Sequence, residues 1–254
     1  MLIVERQQKL LELMRRHKTM QLDDLANNLQ VSSSTVRRDL EALEKEGYVQ
    51  RTRAGAIYTG SDTSIESSPT FALAARMTES IAAKKAIARV AAGMIEPAMT
   101  VLLDGGSTVI YTAQEISVRP LQIVTNSLTI ANQFKDEDQV ELALTGGVLY
   151  PRTEVTVGPI ACNALKNLHA DILFFSLAGF DDDAFFNINM SMTEIEHQMM
   201  EQASRKIALM DSSKFGRKSL SKVCSSADID YVITDAGIDP SYKAQLGDKL
   251  IIAE

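Results

Sequence analysis

No tryptophan occurs among the 254 residues, which hold two cysteines, three histidines, six prolines and 6% aromatic side chains. Cys162 and Cys224 are too few for a disulfide framework and lack metal-site spacing, so both are expected to be buried small hydrophobes in a reducing cytoplasm. Three scattered histidines give no structural zinc site, and no metal or cofactor is expected. No run of about 18 apolar residues appears, which excludes a helical membrane span, and no membrane partner is expected. The opening Met1-Leu2-Ile3-Val4-Glu5-Arg6 lacks the basic-then-apolar order of a secretory signal. What is present, 45% hydrophobic and 23% charged residues, is the balance of a folded globular chain of one or two domains with a sizeable core.

A net charge of −7 argues against a nucleic-acid partner, but it averages two unlike segments. Residues 1–60 carry ten Lys and Arg against eight Asp and Glu, whereas residues 61–254 carry sixteen against twenty-five. A small basic module is joined to a larger acidic one. The expected division is a small basic module over 1–59, a polar linker over 60–70 and a larger acidic module over 71–254.

In the first segment, Leu10, Leu13 and Met14 recur at helical spacing and predict a helix over 4–16. Leu22, Leu25, Ala26 and Leu29 predict a second over 22–29. After the break Gln30-Val31-Ser32, Ser32, Ser33 and Ser34 offer N-caps for a third helix to about Glu46, with Val36, Leu40 and Leu43 inward and Gly47 as C-cap. Residues 48–58 read as two short strands around a glycine turn. This order is that of a winged helix-turn-helix. A helix fits the major groove, where residues of its first turns reach bases and phosphates. Ser32, Ser33, Ser34, Thr35, Arg37 and Arg38 are the expected contacts on it, and Arg51 and Arg53 those of the wing, with double-stranded operator DNA as partner.

A helix is expected over 79–94. From Thr100 onward short apolar runs alternate with helical stretches, at 101–103, 121–124, 140–144, 172–175, 206–210 and 231–233. This pattern predicts βαβ units and a mostly parallel sheet covered on both faces. Four polar loops follow strands. Asp104-Gly105-Gly106-Ser107-Thr108 offers close backbone approach and a helix N-terminus for a phosphate. Thr125-Asn126-Ser127 repeats the strand-to-helix step, Gly146-Gly147 follows the third strand, and Lys214 adds positive charge after the fifth. Ligands of open parallel sheets bind where such loops converge. The remaining features have plainer readings: Met190, Met192, Met199 and Met200 as core filling, Asp181-Asp182-Asp183 as a solvated turn, and His197 on the surface.

The amino-terminal residues resemble the signature of the DeoR family of bacterial transcriptional regulators: Arg6, Leu10 and Met14, then Ser32, Thr35, Val36, Arg37, Arg38, Asp39 and Leu40. The wing, Arg51-Thr52-Arg53-Ala54-Gly55-Ala56, is similar to the family's Arg-x-His-Gly-Gly-Ala. The resemblance spans nearly the whole chain. It implies an α/β sensor domain resembling ribose-5-phosphate isomerase, a phosphorylated sugar as effector at the four loops, and Arg76 and Lys85 as basic residues ahead of the first strand. It also implies a cytoplasmic repressor, not an enzyme, working as a homo-oligomer, dimer or tetramer. One departure is Met192, where the family has a Glu. The absent carboxylate argues against isomerase catalysis, because Glu194 points elsewhere on the helix. Two other readings stand beside this one: a sugar-phosphate isomerase with a fused DNA-binding module, with Asp104 and Lys214 as participants, and a ligand-independent DNA-binding protein.

Overall fold

The computed structural model describes residues 3–45, 48–52, 54–59 and 72–254, and the chain divides into two compact units, Met1–Phe71 and Ala72–Glu254. The linker expected over 60–70, the Gly47 cap and Arg53 lie outside the described residues.

The first unit runs α1 (Ile3–His17), β1 (Thr19–Gln21), α2 (Leu22–Leu29), α3 (Ser33–Lys45), β2 (Val49–Arg51) and β3 (Gly55–Tyr58). Its core is formed by the apolar stripes of the three helices, Leu10 and Met14, Leu25 and Leu29, Val36, Leu40 and Leu43, closed by Val49 and Ala56. The strands form an antiparallel sheet in the order β1-β3-β2. β1 alternates Thr-Met-Gln, with Met20 turned to the core, but three residues are too few to read as a strand without the pairing with β3. The hairpin glycine is not in the turn: Gly55 begins β3, and a Cβ there would lie 2.0 Å from the Met20 carbonyl oxygen. It is required for the close approach of β1. An ion pair ties the helices together: Arg6 Nε donates to Asp39 Oδ2 at 2.5 Å and Nη2 to Oδ1 at 3.1 Å. Two residues of the signature are therefore structural partners.

The second unit runs α4 (Leu73–Thr78), α5 (Ile81–Ala92), β4 (Thr100–Leu103), α6 (Ser107–Glu115), β5 (Leu121–Thr125), α7 (Leu128–Phe134), β6 (Val140–Leu144), β7 (Val148–Tyr150), β8 (Val155–Val157) and α8 (Pro159–Leu165). It continues with β9 (Ala170–Phe175), β10 (Gly179–Asp181), β11 (Ala184–Asn187), α9 (Met190–Gln202), β12 (Ala203–Leu209), β13 (Ser221–Ser225), β14 (Tyr231–Asp235), α10 (Pro240–Leu246) and β15 (Leu250–Ala253). Seven strands form one sheet, β15-β14-β12-β9-β4-β5-β6, with every pairing parallel. Alternate residues serve its two faces. Leu102, Leu173, Phe175 and Ala208 pack with α8 and α9, while Leu103, Ile172, Phe174 and Ile207 pack with α5 and α6.

Several expectations are corrected. The helix expected over 79–94 is α5, and the short helix α4, which was not expected, precedes it across Glu79 and Ser80, where Lys84 Nζ donates to the carbonyls of Arg76 and Glu79 and so satisfies the end of α4. β6 is an edge strand with Leu144 43% exposed, not a strand covered on both faces. Met190 is 71% exposed and fills no core, whereas Met192, Met199 and Met200 are buried. Asp182 and Asp183 turn the β10–β11 hairpin with positive φ, and Lys218 pairs with Asp181 and Asp182. Both cysteines are buried, and His197 is exposed with Nε2 2.6 Å from the Val223 carbonyl oxygen.

Candidate functional site

Two places collect the functional side chains, one in each unit. In the first, α2 ends on Gln30 in the left-handed conformation (φ 53°), and the turn delivers α3. Ser32 is the N-cap of α3, its Oγ accepting from Thr35 N at 3.3 Å. The same Oγ lies 2.9 Å from both Ser34 Oγ and Thr35 Oγ1, and Ser33 Oγ donates to Asp23 of α2 at 3.1 Å. These hydroxyls hold the turn and one another. The free charge on the helix is that of Arg37 and Arg38, both exposed and without an ion pair among the described residues. Arg51 is different: its backbone N and Nε both donate to Glu44, at 2.8 and 2.6 Å, so the wing arginine is anchored to the end of α3.

In the second unit the chain starts at the centre of the sheet, with β4, builds outward through β5 and β6, then returns to the other side of β4 as β9. The crevice at this reversal is where open α/β sheets bind ligands. The carboxyl ends of five adjacent strands supply Asp211 (β12), Ser176 (β9), Asp104 (β4), Asn126 (β5) and Thr145 (β6).

Asp104 is the centre of this row. It is buried, and backbone amides of Gly105, Gly106 and Ser176 turn toward its carboxylate, the last at 3.5 Å. Burial raises its pKa despite those amides and the nearby Arg76 charge. Packing within the protein by itself requires both glycines. A Cβ on Gly105 would meet Val155 at 2.0 Å, and one on Gly106 would meet Ser176 Oγ at 1.5 Å. Ser107 and Thr108 open α6 and are buried. Thr125 Oγ1 donates to the Leu103 carbonyl and accepts from Ser127 N, and Ser127 Oγ caps α7. The Thr125 side chain thus ties β5 to β4, and that of Ser127 starts α7. Asn126 donates to the Thr156 carbonyl at 3.3 Å, while its Oδ1 is buried with no partner. Gly146 and Gly147 turn the chain after β6 with φ of 68° and 114°.

Three cations approach Asp104 and Asp211. Arg76, on α4, feels the charges of Asp104 and Glu79, and its Nε and Nη2 are buried without partners; burial lowers its pKa. Lys84, 2% exposed, has a pKa lowered first by burial and then by Arg76 and Lys214, with Asp211 and Glu79 opposing. Lys214, in a 3-10 turn after β12, has Nζ 4.0 Å from Asp211 Oδ2. Lys85, the next residue round α5, is exposed, whereas Lys84 is buried and feels the charges of Asp211 and Lys214.

The sequence reading also missed Glu196. Met192 is buried where a family carboxylate was looked for, but one turn further along the same face of α9 Glu196 is 1% exposed. Its Oε1 accepts from Asn187 Nδ2 at 2.5 Å, its Oε2 has no partner, and burial with the adjacent Asp104 charge pushes its pKa well up. The usable signal was the i, i+4 spacing from Met192, in a helix whose other carboxylates, Glu194 and Glu201, are exposed.

Residues 6–62 match the DeoR-like helix-turn-helix domain and residues 79–236 the DeoR C-terminal sensor domain. The uncharacterised HTH-type transcriptional regulator YulB of Bacillus subtilis is 32% identical over 99% of this chain and 96% of its own length. A putative aga operon transcriptional repressor of Escherichia coli O157:H7 is 33% identical over 92% of this chain and 87% of its own. Among solved structures, ribose 5-phosphate isomerase A from Methanocaldococcus jannaschii aligns over 52% of this chain and 53% of its own, at 17% identity and a TM-score of 0.37. Among the described residues no helix is long and apolar enough to cross a membrane.

Proposed function

This chain belongs to the DeoR family of helix-turn-helix transcriptional regulators, and on that premise we propose that it is a cytoplasmic repressor of a carbohydrate-metabolism operon, released from its operator by a phosphorylated sugar. Membership makes it a DNA-binding regulator and not an enzyme. The repressor sign has support from the Escherichia coli relative, a putative aga operon transcriptional repressor.

One observation carries the effector class. Arg76 holds two buried N–H donors with no partner, at the carboxyl ends of the strands, with Lys84 and Lys214 close by. Unmet buried donors on a cation call for an anion, and each costs about 1–3 kcal/mol while unmet. Asn126 Oδ1 and Glu196 Oε2 are unmet in the same region and suit the hydroxyl-bearing part of such an anion. Effector binding then shifts the population toward a conformation that grips DNA less well. A single winged helix covers little DNA, so a dimer or tetramer on repeated half-sites is the proposed assembly. The test is fluorescence anisotropy of labelled operator DNA with the full chain, titrated with hexose and pentose phosphates. Release by a sugar phosphate, but not by the free sugar, supports the reading, and no response to any of them refutes it.

A further inference from the structure

We propose that Glu196 determines effector specificity: its Oε2 forms a hydrogen bond with an oxygen of the effector's sugar part, away from the phosphate. The proposal rests on the sugar-phosphate reading of the pocket. Four observations lead to it. The first is orientation. Asn187 Oδ1 accepts from the Ile188 amide at 2.7 Å, which turns Nδ2 toward Glu196 and makes Glu196 Oε1 the acceptor of that bond. The second is the opposite oxygen, Oε2, which is buried and has no partner in the protein.

The third is the proton. The groups that face this carboxyl are Asp104, which raises its pKa, and the Cys224 thiol of β13, itself pushed up to about 12 and therefore neutral. Arg76 stands beside Asp104. With burial added, the neutral acid is favoured, and because Oε1 is already an acceptor the proton sits on Oε2. An O–H donor is thus left with no acceptor in the protein, at the side of Asp104. The fourth is the layout of charge. Arg76, Lys84 and Lys214 draw the phosphate, whereas Asp104 repels a dianion from the side where Glu196 lies. The sugar's hydroxyl or carbonyl oxygens are what can meet Oε2.

Calorimetric titration of the full chain tests this, using glucose 6-phosphate, fructose 6-phosphate and ribose 5-phosphate, with inorganic phosphate as the control. Glu196→Met fills the space without a polar atom. It is expected to lower affinity for the sugar phosphate that binds by roughly tenfold and to leave inorganic phosphate unchanged. Glu196→Gln keeps an acceptor for Asn187 and a donor toward the pocket, so it is expected to bind like the parent at acid pH. The parent-to-Gln affinity ratio should fall as pH rises through the raised pKa of Glu196, a readout that still decides if the Met variant does not fold. A Met variant that binds as the parent does, or loses sugar phosphate and inorganic phosphate equally, overturns the assignment, as does a ratio flat in pH. If the parent binds none of the three sugar phosphates, the sugar-phosphate reading falls and this proposal falls with it.

Discussion

Arg76→Met is expected to make the protein more stable and less responsive. The guanidinium has two buried nitrogens, Nε and Nη2, with no hydrogen-bond partner, and burial already lowers its pKa. At about 1–3 kcal/mol for each unmet donor, the gross gain from their removal is about 2–6 kcal/mol. Attraction to Asp104 offsets part of this, since it opposes the pKa shift of Arg76, yet no ion pair with Asp104 forms among the described residues. A net stabilisation of about 1–3 kcal/mol remains, in line with buried charges replaced by apolar side chains of similar volume. At about 2–4 °C per kcal/mol for a unit of this size, the Tm rises by about 2–12 °C. The effect has a pH sign. Asp104 has a raised pKa, so as pH falls through that value its charge and its attraction for Arg76 disappear. The gain from Arg76→Met should therefore be larger toward acid pH. The same change removes charge-assisted bonds to an anionic effector, a loss of roughly 10- to 150-fold in affinity. Differential scanning calorimetry at two pH values, paired with effector titration, reads all three quantities. A less stable variant with full effector affinity would show that Arg76 is a structural cation, and the site argument would fail.

Three further outcomes follow from the same geometry. Arg37→Ala with Arg38→Ala should weaken operator binding and flatten its salt dependence by about one to two phosphate equivalents, read by anisotropy across a salt series; an unchanged slope in a folded protein removes α3 from the groove. Glu44→Gln should free Arg51 from its carboxylate partner and tighten DNA binding with a steeper salt slope, whereas unchanged binding would mean that the wing arginine does not reach DNA. Lys214→Ala should reduce effector affinity by roughly 10- to 150-fold and spare operator affinity without effector; if DNA binding is lost instead, Lys214 is structural.

What was legible in the sequence was whatever a short window encodes. The three helices of the first unit follow from Leu10, Met14, Leu25, Leu29, Val36 and Leu40 at helical spacing, and the central strands from continuous apolar runs. The hairpins β7–β8 and β10–β11 escaped because their three- or four-residue strands show no periodicity and lie in loops between the main strands, and β15, Leu-Ile-Ile-Ala, was not singled out although it is an apolar run like that of β4. The site divided the same way. Positions in loops after strands, such as Asp104, Asn126 and Lys214, were visible as polar breaks. Which atoms they leave unmet was not, because that depends on partners distant in sequence: Ser176 against Gly106, Asn187 against Glu196. Lys85 and Lys84 differ by one position, about 100° around a helix, and an uncertain phase chooses the wrong one. Glu196 was hidden for a related reason. A carboxylate on a charged helix reads as solvated until the fold buries it.

The unmet atoms also bear on how a small ligand could move a regulator. To take a two-state equilibrium from 1:99 to 99:1, an effector must prefer one state by about 5.5 kcal/mol. Arg76 Nε and Nη2, Asn126 Oδ1 and Glu196 Oε2 amount to four unmet groups, about 4–12 kcal/mol at about 1–3 kcal/mol each. At the upper end of that range, contacts to these four groups alone are large enough, provided that about half of their energy is available in only one of the two states. Contacts available equally in both would tighten binding without changing the response. Effector affinity and effector response are therefore separable. A variant such as Lys214→Ala that loses both in proportion marks a group present in either state. One that binds effector normally yet no longer releases DNA marks a group whose position is what changes.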